Sequence, residues 1–225
     1  MKLYSNPVST VSRPVVQFCI DAGIDYEPVM IDLMHGEQLQ AAYARINPNC
    51  LVPVLEDGDF RLTESSAILK YLADKYQHPA YPRELKARAR VNELMDWFNT
   101  GFYREYGYHL IYPQLFPHHK RPSEEANRAT IEWGKAKTLA SLKTLDECYL
   151  GGGNKFLCGD QITIADYFGA NIVTLGELIG ADLSAYPNVQ RWISAMKSLP
   201  SWDQANAVFN TVAAAAKGKP FITLP

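Results

Sequence analysis

Between residues 52 and 76 (VPVLEDGDFRLTESSAILKYLADKY) the spacing of apolar positions changes period. Val54-Leu55 and Phe60–Leu62 are short apolar runs on either side of Asp57-Gly58, a pair that favours the tight turn of a β-hairpin. From Ile68 the apolar residues fall at Ile68, Leu69, Leu72, Ala73 and Tyr76, which is the spacing of one helix face. Upstream, Lys2-Leu3-Tyr4 reads as a strand. A helix opens at Ser12-Arg13-Pro14 and runs through Val15, Val16, Phe18, Cys19 and Ala22, with Pro14 in its first turn and Gly23 closing it. Residues 26–31 (YEPVMI) read as a second strand, and Gln38 to Arg45 as a brief helix stopped by Asn47-Pro48. The order β-α-β-α-β-β-α over the first 76 residues has a thioredoxin-like outline.

Beyond that point the two-residue alternation disappears. Residues 77–84 (QHPAYPRE) hold two prolines and no periodicity, so a linker is placed at 78–84, between an α/β domain at 1–77 and an all-α domain at 85–225. Residues 85–112 predict a long helix rich in aromatics: Trp97, Phe98, Phe102, Tyr103, Tyr106, Tyr108 and Tyr112. A loop rich in Pro and His follows, and Ser123 is the cap of a helix running to about Leu150. In GDQITIADY (159–167), Thr163 with Asp166 forms a capping box, and Ile162 with Tyr167 a hydrophobic staple. Two more helices are predicted near 188–199 and 202–216.

Composition narrows the function classes. The 225 residues are 47% hydrophobic and 20% charged, which suits a packed core and argues against disorder. A formal charge of −2 leaves no footprint for nucleic acid or an anionic membrane. No apolar run approaches the roughly 20 residues of a membrane-spanning helix, and MKLYSNPVST lacks the apolar stretch of a signal peptide. Cys19, Cys50, Cys148 and Cys158 are scattered, without CxxC or metal-ligand spacing, and read as reduced thiols of a cytoplasmic protein. The five histidines show no zinc pattern. No metal and no cofactor is expected.

The segment at 52–65 carries candidate chemistry. Pro53 stands at the mouth of a strand, where it has no N–H to donate to a ladder. If Val52-Pro53 is cis, the backbone N–H and C=O of Val52 turn out of the sheet, and an extended peptide can pair with them as an extra strand. Glu64-Ser65 lies where the second hairpin strand becomes a helix, and a helix start with a serine hydroxyl suits a carboxylate. A free edge beside an anion pocket points to a short acidic peptide as ligand.

These features, taken in order, resemble the cytosolic glutathione transferases. The motifs are Val52-Pro53, Glu64-Ser65-Ser66-Ala67-Ile68, the LKARARVNELMDW stretch from Leu85, and GDQITIAD. The resemblance covers nearly the whole chain and implies a thioredoxin-like amino-terminal domain followed by an all-α domain. It is nearest the theta and delta groups, in bacterial or related members, whose active-site serine lies four residues before an arginine at the first helix. Ser9 and Arg13 stand in that relation. Tyr4 lies within a strand and is rejected as the catalytic hydroxyl. The cysteine of the beta group falls at Thr10. Ser9 is therefore the first choice for the thiol-activating hydroxyl, with Thr10 and Ser12 as alternates, Ser12 being the best helix cap on local grounds. Arg13 is expected to be a structural ion-pair partner.

The resemblance further implies that Val52 pairs through its backbone with the cysteinyl unit of glutathione, and that Ser65 holds the γ-glutamyl carboxylate with Glu64 beside the ammonium. Gln38 would face the glycine carboxylate. Many relatives carry a Lys where this chain has Leu51, so one cation is missing; His35, Lys70 or a partner subunit are the candidates to replace it. Phe102, Arg104, Tyr106, Tyr108 and Tyr112 would form an apolar pocket for the second substrate, with Arg104 and His109 orienting it. The implied activity is addition of the glutathione thiolate to small hydrophobic electrophiles such as alkyl halides or epoxides, or reduction of organic peroxides, by a homodimer in detoxification. The main rival is a non-catalytic interaction or regulatory module on the same fold, supported by Leu51. A thiol-disulfide reductase is disfavoured because no Cys lies near residues 9–13, and a catalytic use of Cys50, which is close to the site in sequence, is disfavoured with it.

Overall fold

A computed structural model describes residues 1–224. At its amino-terminal end lies a mixed four-stranded sheet in the order β2-β1-β3-β4. β1 (Lys2–Ser5) pairs in parallel with β2 (Glu27–Met30) and antiparallel with β3 (Val54–Asp57), which pairs antiparallel with β4 (Phe60–Leu62). Alternation along β1 and β3 divides the core. Leu3 and Leu55, opposite each other, pack on one face with Val15, Phe18 and Cys19 of α1 (Arg13–Asp21) and Ile68, Leu69 and Leu72 of α3 (Ser65–Lys75). Tyr4 and Val54 point the other way and pack with Ile31, Val52 and Tyr43 of the short α2 (Ala41–Ala44). The β-α-β-α-β-β-α order and thioredoxin-like architecture are those the residue pattern implies.

Two local expectations are corrected. The stretch from Gln38 to Arg45 is not one helix. A 3-10 turn at Glu37–Leu39 precedes α2, and Gln40 between them is extended (φ −76°, ψ 148°). The hairpin turn is shifted by one residue: Asp57 pairs with Phe60, leaving Gly58-Asp59 as the two-residue loop. Gly58 takes φ +63°, the left-handed backbone glycine adopts without steric cost. Asp57 is held in the strand because its carboxylate bonds Tyr71 Oη at 2.6 Å and Lys75 Nζ, both on α3.

Residues 85–216 are helical apart from their connections. α4 (Leu85–Asp96) continues without a break through wide π-helical turns at Trp97–Phe102 and Arg104–Ile111 into α5 (Tyr112–Leu115). This long helix lies against α6 (Glu124–Thr144), whose start is capped by the Ser123 hydroxyl accepting from Ala126 N–H at 3.1 Å. The approach is close: a Cβ on Gly134 would stand 2.8 Å from the His109 backbone. α7 (Ile164–Val173), α8 (Pro187–Lys197) and α9 (Pro200–Ala216) complete the bundle. The capping box of Thr163 and Asp166 forms as its spacing implies. The segment between α3 and α4 is anchored, since Ala80 C=O accepts from Ile164 N–H at 2.9 Å, and Ala80 and Tyr81 are buried.

The Asp166 carboxylate is the polar centre of the helical core. Fully buried, it accepts from the N–H groups of Leu157 and Thr163 and the Thr163 hydroxyl, each at 2.8 Å, and from the Trp192 indole at 2.9 Å. Replacing it with Ala would orphan several buried donors at once, each costing about 1–3 kcal/mol. Asp166→Ala is expected to lose about 3 kcal/mol or more of unfolding free energy by urea titration. A loss under about 1 kcal/mol would remove Asp166 from this role.

Candidate active site

The loop from Asn6 to Ser12 joins β1 to α1 and is pinned at both ends. Asn6 Nδ2 donates to Ile31 C=O at 2.8 Å. Ser9 starts the helix: its carbonyl accepts from the N–H groups of Ser12 and Arg13 at 3.2 and 3.1 Å, and its hydroxyl oxygen accepts from Ser12 N–H at 3.2 Å. Ser9 is half-buried, and its hydroxyl proton is uncommitted. The two neighbouring hydroxyls differ. Thr10 is buried, with Oγ1 2.9 Å from Tyr112 Oη. Ser12 has no exposed surface, makes no side-chain cap bond, and its Oγ has no partner among the described residues. The expectation that Ser12 caps α1 is therefore corrected: Ser9 supplies that function three residues earlier, because the first turn begins at Ser9 C=O.

Arg13 also departs from expectation. It is fully buried but has no carboxylate partner. Its guanidinium donates to Asn206 Oδ1 at 2.5 Å and Asn171 C=O at 2.9 Å, and stacks on Phe209 at 3.6 Å. Burial lowers its pKa to about 10, with Tyr112, Glu177 and Tyr103 pulling the other way.

A cavity of about 310 Å³ opens beside this loop. One side is built by Val11, Asn47, Leu51, Val52, Pro53, Glu64 and Ser65, and the other by Asn99, Thr100, Tyr103, Arg104 and Tyr108 of the long helix. The Val52-Pro53 bond is cis. Val52 precedes the ladder, which begins at Val54 opposite Tyr4, and its N–H and C=O have no hydrogen-bond partner among the described residues. Leu51 is held from behind, its carbonyl accepting from Tyr43 Oη at 2.8 Å and Asn47 Nδ2 at 2.7 Å. At the far end α3 starts without a side-chain cap. Its first residue, Ser65, is buried against the cavity, so the free N–H groups of the first turn and a hydroxyl face one place. Glu64 before it is exposed and takes φ +64°, ψ 110°, a backbone costly for a residue with a side chain and of a kind concentrated at functional sites.

Residues 1–74 match the family "Glutathione S-transferase, N-terminal domain" and residues 110–200 match "Glutathione S-transferase, C-terminal domain". Glutathione S-transferase theta-1 of Homo sapiens is 34% identical, covering 85% of this chain and 80% of that protein. Glutathione S-transferase T1 of Arabidopsis thaliana is 32% identical, covering 92% and 88%. The chain belongs to the glutathione S-transferase family. Among solved structures, human glutathione transferase theta-2, in complex with glutathione and an unknown ligand, superposes with a TM-score of 0.82 at 30% identity, covering all of this chain and 93% of that one. Like these theta-class relatives, the chain is a transferase.

Within this glutathione S-transferase, the residues picked from sequence divide into three groups. Val52, Pro53, Glu64, Ser65, Arg104 and Tyr108 line one cavity. Ser9 and Gln38 stand outside its lining. Ser9 lies two residues before Val11, while Gln38 sits on the 3-10 turn with its amide oxygen buried and unpaired. Phe102, Tyr106 and Tyr112 face the core and not the cavity. Phe102 and Tyr106 are essentially without exposed surface, Tyr106 Oη donating to Val173 C=O at 3.2 Å. Tyr112 Oη is enclosed between Thr10 and Tyr103. Phe98, Phe102, Tyr106 and Leu110 lie four residues apart on the core side of the long helix, while Thr100, Arg104 and Tyr108 lie four apart on its cavity side.

The pocket candidates picked from the sequence omit Asn99, Thr100 and Tyr103, which line the cavity. The signal was available as a polar set one turn apart within the aromatic run. The pocket is consequently less apolar than expected, since all five of its long-helix residues carry polar atoms. Arg104 is tied by Nε to Glu105 at 2.9 Å, and Glu105 also bonds His109 Nδ1 at 2.8 Å. Burial alone would raise the Glu105 carboxyl, but His109 and Arg104 outweigh it and hold it below the usual carboxylate range. His109 thus braces Arg104 through Glu105. His35 and Lys70 are absent from the lining; His35 Nδ1 is 2.6 Å from Asp32. Cys50 is outside it too, its thiol 3.8 Å from Pro48 C=O. Among the described residues no group of His, Cys, Asp and Glu is arranged to hold a metal ion, and no helix is long and apolar enough to cross a membrane.

A buried hydroxyl with no partner destabilises, so removing it should not. Ser12→Ala is expected to keep the melting temperature or raise it, by up to about 1 kcal/mol of stability. Ser9→Ala strips an acceptor from Ser12 N–H and is expected to lower it by about 0.5–2 kcal/mol. A fall for Ser12→Ala as large as that for Ser9→Ala would show that the Ser12 hydroxyl is bonded after all.

Proposed function

We propose that the cavity binds glutathione and that the Ser9 hydroxyl stabilises its thiolate for transfer to a small electrophile. In this reading the Val52 backbone pairs with the cysteinyl unit, Ser65 and the first turn of α3 hold the γ-glutamyl carboxylate, and Glu64 sits beside the ammonium. Gln38, whose amide oxygen lacks a partner, turns its amide N–H toward the glycine carboxylate. Leu51 supplies no charge there.

The observation that carries the reading is the state of the three hydroxyls ahead of α1. Thr10 is committed to Tyr112, Ser12 is sealed, and Ser9 alone of the three accepts from the backbone with its proton free to donate. A free thiol near pKa 8.5 is only a few per cent ionised at pH 7. One pKa unit is about 1.4 kcal/mol, and a hydrogen bond to a charged acceptor is worth about 1.5–3 kcal/mol, so one hydroxyl supplies roughly one to two units. Ser9 would act by donating to sulfur and not by forming a covalent bond. Alkyl halides, epoxides and organic peroxides are the proposed electrophile classes, in a cytoplasmic homodimer with its domains at 1–77 and 85–225.

Ser9→Ala is expected to raise the pKa of the bound thiol by about one unit or more, read from thiolate absorbance, and to cut turnover at pH 7 about ten-fold. The sign follows from loss of a donor to the charged form: kcat/KM still climbs with pH, but its rise moves to higher pH. Full activity in Ser9→Ala would remove this residue, and Thr10→Val would then be tested. Leu51→Lys restores a cation and is expected to tighten glutathione about two- to five-fold by calorimetry. Glutathione binding with no turnover of any of the three electrophile classes would favour a regulatory module, a reading consistent with Leu51. Light scattering is expected to give twice the 25.3 kDa chain mass.

A further inference from the structure

The hairpin between β3 and β4 turns at Asp57-Gly58. In an unfolded chain this dipeptide isomerises readily, because glycine puts no side chain between its amide nitrogen and the carboxyl group of the preceding aspartate. The fold separates the two groups. Asp57 still belongs to β3, opposite Phe60, while Gly58 opens the loop at φ +63°. Side chains alternate along a strand, so Asp57 falls on the same face as Leu55, the face that α3 covers. Its carboxylate accepts from Tyr71 Oη at 2.6 Å and is paired with Lys75 Nζ, one turn further along α3. Both bonds aim the carboxyl at α3 and not at the nitrogen of Gly58.

The surroundings keep this arrangement in place. Phe60, the cross-strand partner of Asp57, packs its ring on Tyr71 with the centroids 5.3 Å apart. Lys75 Nζ lies 5.9 Å from the Tyr71 ring centre, so the ammonium is attracted to the ring as well as to the carboxylate. Only 19% of the Asp57 side chain is exposed. The bond from Lys75, and after it the bond from Tyr71, hold the Asp57 carboxyl below the usual carboxylate range against the opposing effect of burial. The group is therefore ionised at neutral pH, and an ionised carboxylate is a poor target for a nitrogen nucleophile, since its oxygen cannot leave until it is protonated.

We propose that Asp57-Gly58 is a site of spontaneous backbone isomerisation that Tyr71 and Lys75 keep closed. When it opens, the Gly58 nitrogen attacks Asp57 Cγ. A C–N bond forms, the carboxyl C–OH bond breaks, and the hydroxyl leaves as water with the proton of the amide nitrogen. Water then adds to the five-membered imide. Opening at Cγ restores aspartate; opening at the main-chain carbonyl carbon leaves isoaspartate. Water is the only co-reactant, and it is released and then consumed. In the isoaspartate the main chain runs through Cβ and Cγ, one carbon longer at the turn, and the carboxylate is attached directly to Cα, one carbon shorter in its reach toward α3. β4 leads through Thr63 and Glu64 into Ser65, so the inserted carbon lies in the strand pair that positions the start of α3.

The test ages the full chain at physiological temperature and pH and reads isoaspartate at residue 57 by peptide mapping, with fragmentation that separates the two linkages of equal mass. Urea-unfolded chain is expected to accumulate isoaspartate at this residue, and the native chain to do so about ten-fold more slowly or less. Tyr71→Phe and Lys75→Met together should raise the native rate about three-fold or more, while Lys75→Arg, which keeps the charge, stays slow. Val189→Ala, which loosens the helical half without touching the pair, should also stay slow. A double variant within about two-fold of the wild type overturns the proposal. So does a native chain that isomerises as fast as the unfolded one, or an unfolded chain that does not isomerise at residue 57. Acceleration in Val189→Ala equal to that of the double variant would trace the rate to general loosening and overturn it as well.

Discussion

Helix α1 has to satisfy buried polar groups on the side away from the sheet, and much of the site follows from how it does so. Val15, Phe18 and Cys19 pack into the core beneath the sheet. The side facing α7 and α9 carries Arg13 and Gln17, neither of which reaches water. Burying a polar side chain is costly unless it is bonded. Arg13 is received by Asn206, Asn171 C=O and Phe209; Gln17 accepts from Asn171 Nδ2 at 2.9 Å and donates to Ser201 at 3.3 Å. These bonds join segments more than 150 residues apart, so α1 docks on the helical half in one rotational setting. The loop that ends in Ser9, Thr10 and Val11 is positioned by that docking.

The same requirement shapes the electrostatics. A buried guanidinium with no carboxylate bonded to it among the described residues, though Glu177 acts on it from a distance, places positive charge at the amino-terminal end of α1, adding to the favourable end of the helix dipole. Together with the uncapped first turn of α3, it gives the cavity two regions that favour anions. A tripeptide with two carboxylates and an ionisable sulfur matches that distribution. A neutral apolar ligand would use neither.

The second wall is a matter of how polar and aromatic residues are spaced along the long helix. Residues four apart fall on a common helix face. The aromatic run therefore splits into a buried stack through Phe98, Phe102, Tyr106 and Leu110 and a polar strip through Thr100, Arg104 and Tyr108. Close contact with α6 at Gly134 fixes the rotation of this segment.

Much was legible in the order of residues alone. The hairpin and helix periods of 52–76, the Thr163–Asp166 capping box, Val52-Pro53 and Glu64-Ser65 are local signals whose spacing dictates their geometry, and they led to the right family and fold. The sequence could not say which of Ser9, Thr10 and Ser12 has a free proton, because that depends on Tyr112, a hundred residues downstream, and on burial. Nor could it place Phe102, Tyr106 and Tyr112 in the core, find the polar strip, or show that Arg13 lacks a carboxylate. Each of these depends on which distant surface each side chain meets. Short-range patterns set the elements and the motifs; packing between the two halves decided which side chains face the cavity and which protons remain to be donated.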